Sequence, residues 1–296
     1  MFSASDVKEL REKTGAGMMD CKKALEECEG NMDKAVDWLR EKGIAKAAKK
    51  ESRIAAEGLT EAAANDNEAI IFEVNCETDF VTQNDSFKDL VKELREALMF
   101  SDCADYESAK QVKLESGKTI EETIVEATAT IGEKISFRRF ERLTKADDEV
   151  FGIYSHMGGK ITSIVVLKGA DRDIARDVAM QAAAMNPVAV NRDSVPADVV
   201  EHEKEMIKSE IKNDEKNANK PEDVIDKMAI GKLNKFFKEV CLEEQDFIKD
   251  SSMNVKTYVQ NAGGEIKAMV RFAVGEGIEK KEENFAEEVA AQINAA

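Results

Sequence analysis

The sequence contains little proline, histidine and cysteine, and each shortage argues against a class of protein. Three Pro and one Trp among 296 residues, with abundant Ala, Lys and Glu, favour helices. Two histidines, His156 and His202, stand far apart and leave His-based metal sites and Ser/Cys–His catalysis poorly supported. Five cysteines without a C-x-x-C pair argue against a disulfide framework and a thiolate zinc site, and they indicate a reducing compartment.

Long apolar runs and excess positive charge are lacking as well. No window approaches ~20 consecutive apolar residues, and the segment MFSASDVKEL has no signal-peptide core. We therefore expect a cytoplasmic protein. Sixty acids against 43 bases give a net charge of −17, which would repel a phosphate backbone. The most basic segment, residues 46–53, is interpreted as a solvated helix end or linker, so no direct nucleic-acid binding is expected.

Length and composition predict about two domains in a globular chain, since 43% of the residues are hydrophobic and 35% are charged. Residues 1–52 are predicted to form a three-helix module followed by a basic linker. Ser5 is expected to cap the first helix, Asn31 the third, and Gly43 to end that third helix. So small a bundle buries little surface, which favours a docking module tethered to the rest by the Lys-rich segment.

The middle of the chain mixes strands and helices. Segments beginning at Ala69 and Ile161 share a weak likeness, because each is strand-like, then polar, then an amphipathic helix. Gly158-Gly159 predicts a hairpin turn. We expect two α+β subdomains with antiparallel sheets, residues 53–145 and residues 146–196 with 242–279. The predicted strands are Ala69–Val74, Ser136–Leu143, Val150–Ser155, Ile161–Leu167 and Ile266–Val274.

Two further segments are predicted to be helical. Residues 197–241 contain two apolar stripes separated by the polar loop NDEKNANK, and Pro221 opens the second stripe. This pattern predicts an inserted antiparallel helical hairpin, suited to self-association or partner contact. Residues 280–296 are expected to form a C-terminal module with a short helix over NFAEEVAAQI. The predicted fold class is therefore α+β.

Motifs for chemistry are incomplete. The segment ESGKT at 115–119 lacks the Gly that a phosphate-binding loop needs at position 112, which is Val112. GAG at 15–17 and GEG at 275–277 lack the third Gly of a dinucleotide fingerprint. We therefore predict no enzyme, no catalytic residue, no bound metal and no cofactor.

The segment NCETDFVTQND, residues 75–85, follows a strand-like run. This segment contains no Gly or Pro, and it places an acid beside a large aromatic residue, Asp79-Phe80. Phe80 could be a core anchor at a strand–helix junction, or it could be presented to a partner. Composition alone favours the anchor.

Two long stretches, VKELREKTGAGMMDCKKAL at 7–25 and EVNCETDFV at 73–81, resemble translation elongation factor Ts, the bacterial guanine-nucleotide exchange factor for elongation factor Tu. IGEKISFRR, SHMGGKI, RFAVGEGIEK and FAEEVAAQ extend the resemblance over nearly the whole chain. The family has a three-helix module similar to ubiquitin-associated domains, a two-part α+β core, an inserted helical hairpin and a C-terminal helix. This chain departs at Thr162-Ser163-Ile164, where the family usually has Gly-Val-Leu.

The resemblance implies how the segment would work, and with it we prefer the presented Phe80 to the anchor. Phe80 would wedge between two helices of the GTPase and dislodge the Mg²⁺ that neutralises the nucleotide phosphates. The factor would then favour nucleotide-free elongation factor Tu and need no chemistry of its own. The residues implied in Mg²⁺ dislocation are Thr78, Asp79, Phe80 and Val81, and the other implied partner contacts are Leu10, Gly17, Met18, Met19, Ile131, Gly132, His156, Phe285 and Val289.

Alternatives stay open at this stage. Met18 and Met19 fit the core of the N-terminal module about as well as a contact loop. The chain could also be a plain interaction protein, with the module as a ubiquitin-like binder and the hairpin as a dimer arm, without exchange activity. A metal-dependent hydrolase is a distant third hypothesis, because the ligands are missing.

Overall fold

Helices and antiparallel strands alternate along the computed structural model, which describes residues 2–214 and 220–279. The first half contains α1 Ala4–Thr14, α2 Met18–Glu27, α3 Met32–Ala48, β1 Glu57–Ala64, β2 Glu68–Cys76, α4 Asp79–Gln83, α5 Asp85–Met99, α6 Tyr106–Lys110, α7 Ile120–Ile131 and β3 Ser136–Thr144. The second half contains β4 Glu149–His156, β5 Ile161–Lys168, α8 Arg172–Met185, α9 Ala197–Asn213, α10 Glu222–Val240, β6 Asp246–Phe247, β7 Asp250–Asn254, α11 Val255–Asn261 and β8 Glu265–Ala273.

Two three-stranded antiparallel sheets, in the orders β1-β2-β3 and β4-β5-β8, pack face to face. The central strands β2 and β5 send alternate residues to opposite faces. In β2, Phe72 packs under α5 whereas Ile71 faces the second sheet. In β5, Leu167 packs under α8 whereas Val166 faces the first sheet. Both central strands are covered on both faces, which explains their nearly unbroken apolar sequences.

The five predicted strands are confirmed, with ends that differ by at most two residues. The edge strand β1, with the sequence EGLTEAAA, was missed because Ala and Gly are poor strand formers. Gly58 has φ +148°, and a Cβ built on it would lie 2.1 Å from the Val74 carbonyl oxygen. Glycine is therefore required where the backbone of β1 passes close to the backbone of β2.

The three-helix N-terminal module is present, but its first cap differs from the prediction. Ser3, not Ser5, caps α1: its hydroxyl accepts from the Asp6 N–H while the Asp6 carboxylate accepts from the Ser3 N–H at 2.7 Å. This reciprocal capping box starts the helix earlier. The Asn31 cap is confirmed by its acceptance from Lys34 N–H at 3.0 Å. The module core contains Val7, Leu10, Cys21, Ala24, Leu25 and Ala35.

The prediction that Gly43 ends the third helix is wrong, because α3 continues to Ala48. Gly43 lies where α3 crosses α7, and a Cβ there would be only 3.2 Å from the Ala129 Cβ. Close helix packing, rather than a stop signal, accounts for this glycine. The basic segment after it begins as the exposed end of α3, one of the two interpretations given above, and Lys46 pairs there with Asp20 at 2.8 Å.

The inserted hairpin is formed by α9 and α10. Ile207 and Ile211 pack on Ile225 inside it, with apolar contacts that are separate from the main core. At its base, Phe237 packs beside Ala189 and Val195, which fastens the hairpin to the second sheet's subdomain. The predicted C-terminal helix lies outside the described residues, and the domain limits given above stay predictions. No helix in the described ranges combines the length and apolarity that a membrane crossing requires.

A buried carboxylate joins the two sheets at one end. Glu73, fully buried in β2, accepts from Arg138 Nη1 at 3.1 Å and from Arg139 Nε at 2.5 Å. It also accepts from the Gly275 backbone N–H at 2.8 Å, in the turn that follows β8. Its oxygens therefore bind donors from both sheets.

We expect replacement of the distal hairpin, residues 205–229, by a short Gly/Ser turn to leave a cooperatively folding protein. The distal part packs mainly on itself, and the cut retains the Phe237 base. Thermal unfolding followed by circular dichroism checks this. Loss of the cooperative transition would contradict the hairpin's independence.

Glu73→Gln should lower the free energy of unfolding by about 3 kcal/mol, because it leaves two guanidinium groups without their shared charge partner. Urea unfolding measures the change. Glu276→Gln is the matched control: it also pairs with Arg139, at 3.4 Å, but its side chain is 42% exposed. We expect Glu276→Gln to lower the free energy of unfolding by less than about 1 kcal/mol. Equal losses of stability in the two variants would contradict the larger contribution that we assign to Glu73.

Candidate functional site

Several sequence-predicted residues meet at one end of the two-sheet core. In the first sheet, β2 ends at Cys76 and β3 begins at Ser136 at this end. In the second sheet, β4 ends at His156 and the hairpin returns into β5. Lys160 of that hairpin lies 3.0 Å from Glu57 at the start of β1, which fixes the two ends side by side.

Phe80 lies on the short helix α4, where it is 83% exposed. The next two residues, Val81 and Thr82, are buried, and the Thr82 hydroxyl donates to the Asp79 carbonyl at 2.6 Å. Val81 therefore fills the anchoring position, whereas Asp79 and Phe80 face solvent. The interpretation of Phe80 as a core anchor is wrong.

The segment before α4 is fastened to the loop between α7 and β3. Glu133 accepts from the Thr78 N–H at 2.9 Å and from the Thr78 hydroxyl at 2.7 Å. In the reverse direction, Glu77 accepts from the Lys134 N–H at 2.5 Å. These contacts place Ile131 and Gly132, which end α7, beside the start of α4.

The loop before α2 lies near the same helix end. Met18 and Met19, the first two residues of α2 after this loop, are 57% and 75% exposed, which excludes them from the core of the module. A Cβ on Gly15 would lie 3.5 Å from Thr130 Cγ2, so this loop approaches the last turn of α7. Gly17 is the N-cap of α2. Leu10 differs, because it is fully buried in the module core and supports the loop from within.

His156 is exposed at the end of β4. Its ring stacks on Tyr154 with a centroid separation of 6.0 Å, and its Nδ1 lies 3.3 Å from the Tyr154 hydroxyl. The following turn is fixed to the first sheet, because the Gly159 carbonyl accepts from Thr60 N–H at 2.6 Å. His202 is exposed on α9.

The departure at Thr162-Ser163 is accommodated without an unpaired hydroxyl. Thr162 faces the first sheet, where its Oγ1 lies 2.9 Å from Thr60 Oγ1. Ser163 faces α8, and its hydroxyl donates to the Ala179 carbonyl at 2.6 Å. Both hydroxyl groups are buried and hydrogen-bonded. The strand β5 therefore keeps its register with β4, which ends at His156.

Cys76 lies buried at the end of β2, beside the start of α4. Burial raises the pKa of the Cys76 thiol to about 12, which keeps this sulfur protonated and unreactive at neutral pH. Thr119 of the rejected phosphate-loop motif caps α7. Within residues 2–214 and 220–279, no group of three or more His, Cys, Asp or Glu could hold a metal ion.

Some of the residues described so far fall within a match to a known family. The family model described as elongation factor TS matches residues 77–276, about two thirds of the chain. The chain belongs to the elongation factor Ts family. Membership makes it a factor of translation elongation that acts in nucleotide exchange, with elongation factor Tu as the family's partner.

The elongation factor Ts match covers part of the candidate set. It includes the segment 78–81, Ile131, Gly132 and His156, whereas Leu10, Gly17, Met18 and Met19 precede it. Phe285 and Val289 follow it and lie outside the described residues. The family resemblance inferred from the sequence is confirmed, while the roles of individual site residues stay predictions.

Sequence reasoning missed the residues that hold the site, namely Glu77, Glu133 and Arg53. Arg53 lies 3.2 Å from Glu77, and Glu133 reaches Thr78 across 55 positions of sequence. Both acids stand inside the motifs that carry the family resemblance, in CETDF and IGEK. The two acids can be seen in the sequence, but a hydrogen bond between residues so far apart in the chain leaves no periodic sequence pattern that would predict it.

Phe80→Ala should leave the free energy of unfolding within about 0.5 kcal/mol of the native value, because the ring packs on little of its own chain. Phe87→Ala is the control: Phe87 is fully buried on α5, and its truncation should cost about 3–5 kcal/mol. Urea denaturation of both variants decides. A loss at Phe80 comparable to that at Phe87 would restore the anchor interpretation.

Proposed function

We propose that this chain binds elongation factor Tu and accelerates GDP release by inserting Phe80 between two helices of the GTPase and displacing its Mg²⁺. The observation that carries the proposal is an 83% exposed Phe on a helix whose next residue is buried. An exposed aromatic side chain loses nothing from its own core when it enters a partner, and it can supply hot-spot binding energy.

Displacement of the ion explains the exchange without any reaction by the factor. Mg²⁺ neutralises the nucleotide phosphates, so its removal weakens nucleotide binding. The coupling is mutual: if the factor weakens GDP binding by some ratio, GDP weakens factor binding by the same ratio. The preferred partner is therefore the nucleotide-free GTPase. The chain acts in the cytoplasm as a binding protein, not an enzyme, and needs no cofactor.

Other contacts surround the wedge. Met18 and Met19 provide adaptable apolar contact to the nucleotide-binding domain of the GTPase, and Ile131 with Gly132 extends the surface. His156 contributes from the second sheet. Thr78 and Val81 hold Asp79-Phe80 in place, and Leu10 supports the N-terminal module from its core. Phe285 and Val289 complete the proposed contacts.

The finer architecture is part of the proposal. The three-helix module is taken as similar to ubiquitin-associated domains, with divisions at 1–52, 53–145, 146–196 with 242–279, 197–241 and 280–296. The hairpin is proposed to mediate self-association, because Met206 and Ile230 are 55% and 60% exposed on α9 and α10. The rival function, plain binding without exchange, is separated from ours by the assay below.

Phe80→Ala should slow catalysed GDP release at least about tenfold, the effect of losing ~1.4 kcal/mol. Asp79→Ala should act in the same direction, more mildly if Asp79 orients Phe80. Release of a fluorescent GDP from the GTPase measures both rates. Phe100→Ala is the matched control, since Phe100 is 90% exposed but lies beyond α5, near Arg142 and away from the site.

Chelation of Mg²⁺ adds a second arm to this assay. The defect of Phe80→Ala should shrink when the ion is removed, because the wedge's task is then already done. An equal defect with and without Mg²⁺ contradicts displacement of the ion. No acceleration by the native chain at micromolar concentration favours the plain interaction protein.

A further inference from the structure

We infer that Glu133 is a positioning residue for nucleotide exchange: together with Glu77 it fixes the orientation of Asp79-Phe80 through Thr78. We call the four residues Glu77, Thr78, Glu133 and Lys134 the clasp. The inference rests on the proposed function, because it assigns the clasp a role in presenting the wedge. It concerns residues that do not themselves insert into the partner.

The short helix α4 needs outside support. It has five residues, little more than one turn, and an isolated helix of this length is unstable. Within the described chain, the side chain of its N-cap, Thr78, does not bond to the helix. The hydroxyl instead donates to Glu133 Oε1 at 2.7 Å while the backbone N–H donates to Oε2 at 2.9 Å. Both carboxylate oxygens thus bind one residue, immediately before Asp79.

The second half of the clasp runs in the opposite direction. Glu77 accepts from the Lys134 N–H at 2.5 Å, so adjacent residues of one loop bond to adjacent residues of the other. Two carboxylates therefore accept backbone N–H groups across the same gap, and bonds to a charged acceptor are stronger than neutral ones. Such a reciprocal pair restricts sliding and rotation between the loops, which a single bond would permit.

The clasp also binds the chain where it leaves α3. Lys134 Nζ donates to the Glu51 carbonyl at 2.6 Å and to the Arg53 carbonyl at 3.0 Å. Arg53 in turn pairs with Glu77 at 3.2 Å. The exit of the N-terminal module, the end of α7 and the start of α4 therefore share one set of bonds.

Fixing the loop in advance lowers the entropy that must be lost on binding. A wedge also has to hold its direction while it displaces groups of the partner, and small misplacements of an acting group reduce rates strongly. Loss of the clasp should therefore reduce exchange without removing any contact atom of Asp79 or Phe80.

Three substitutions test whether Glu133 acts by holding Thr78 in position or through the size or charge of its side chain. Glu133→Ala removes both bonds to Thr78. Glu133→Gln can keep both, because the amide oxygen accepts the Thr78 N–H while the amide nitrogen donates to the hydroxyl, which accepts as well as donates. Thr78→Val removes that acceptor, so Glu133→Gln should be tolerated beside Thr78 and harmful in the Thr78→Val background.

The first measurement uses the full chain without the GTPase. Amide hydrogen exchange at residues 79–83 should accelerate about tenfold in Glu133→Ala and stay close to native in Glu133→Gln. Glu149→Ala is the matched control, because Glu149 accepts the Ala146 N–H at 2.9 Å in a loop at the opposite end of the core. Native protection of residues 79–83 in Glu133→Ala overturns the inference.

The second measurement is a double-mutant cycle in catalysed GDP release. Glu133→Ala should slow release about tenfold in the native background and have almost no further effect in the Phe80→Ala background, because positioning acts through that ring. Equal slowing in both backgrounds indicates general damage and overturns the inference. If Phe80→Ala alone leaves release unchanged, the proposed function fails, and amide exchange then decides by itself whether the clasp orders α4.

Discussion

The buried carboxylate of Glu73 is the interaction on which the two-sheet arrangement depends. Along β2, the face toward the second sheet is apolar at Ala69 and Ile71 and then becomes charged at Glu73. A buried charge is tolerated only where partners neutralise it, and here Arg138 and Arg139 of β3 do so from the same sheet. The bond from the Gly275 N–H adds the second sheet. Together with the bonds from Thr60 to Gly159 and from Lys160 to Glu57, this charged cluster fixes the relative position of the sheets.

That fixed position determines the end of the molecule at which the candidate site lies. The hairpin carrying His156 docks on β1 through Thr60 and Gly159, next to the point where β2 ends and α4 begins. Elements from two sheets thus present side chains at one end, although Phe80 and His156 are separated by about a quarter of the chain. The register shift between β2 and β3 opposite Glu73-Val74 lies within this region, and Arg138 is the extra residue on β3. The site is therefore a product of tertiary packing and not of one contiguous motif.

The sequence predicted the long periodic elements well, because each has a strong local signal. Asn31 and Pro221 marked helix starts that the structure confirms. Other features failed where tertiary contacts overrode local preference: Gly43 lies inside α3 because α7 crosses there. At the site, the pattern Asp79-Phe80-Val81 could not reveal which apolar residue is buried, since a one-residue shift in a short helix exchanges them. Glu133 was present in a recognised motif, but its bond to Thr78 depends on the packing of α7 against β3.

The proposed mechanism requires that the exposed Phe80 be held rigidly. An exchange factor can shift its GTPase only by contacting one state of that GTPase better than the other. When two surfaces press together, the more compliant one deforms, so a loosely held Phe80 would fold back and leave the nucleotide site unchanged. In this chain, Val81 anchors the helix from below and Glu133 holds its first residue from the side. Glu73 holds the sheets on which both depend. In the proposed mechanism, distortion is thereby directed into the partner, and the coupling between factor and nucleotide would follow from the stiffness of the factor as much as from the ring that makes the contact.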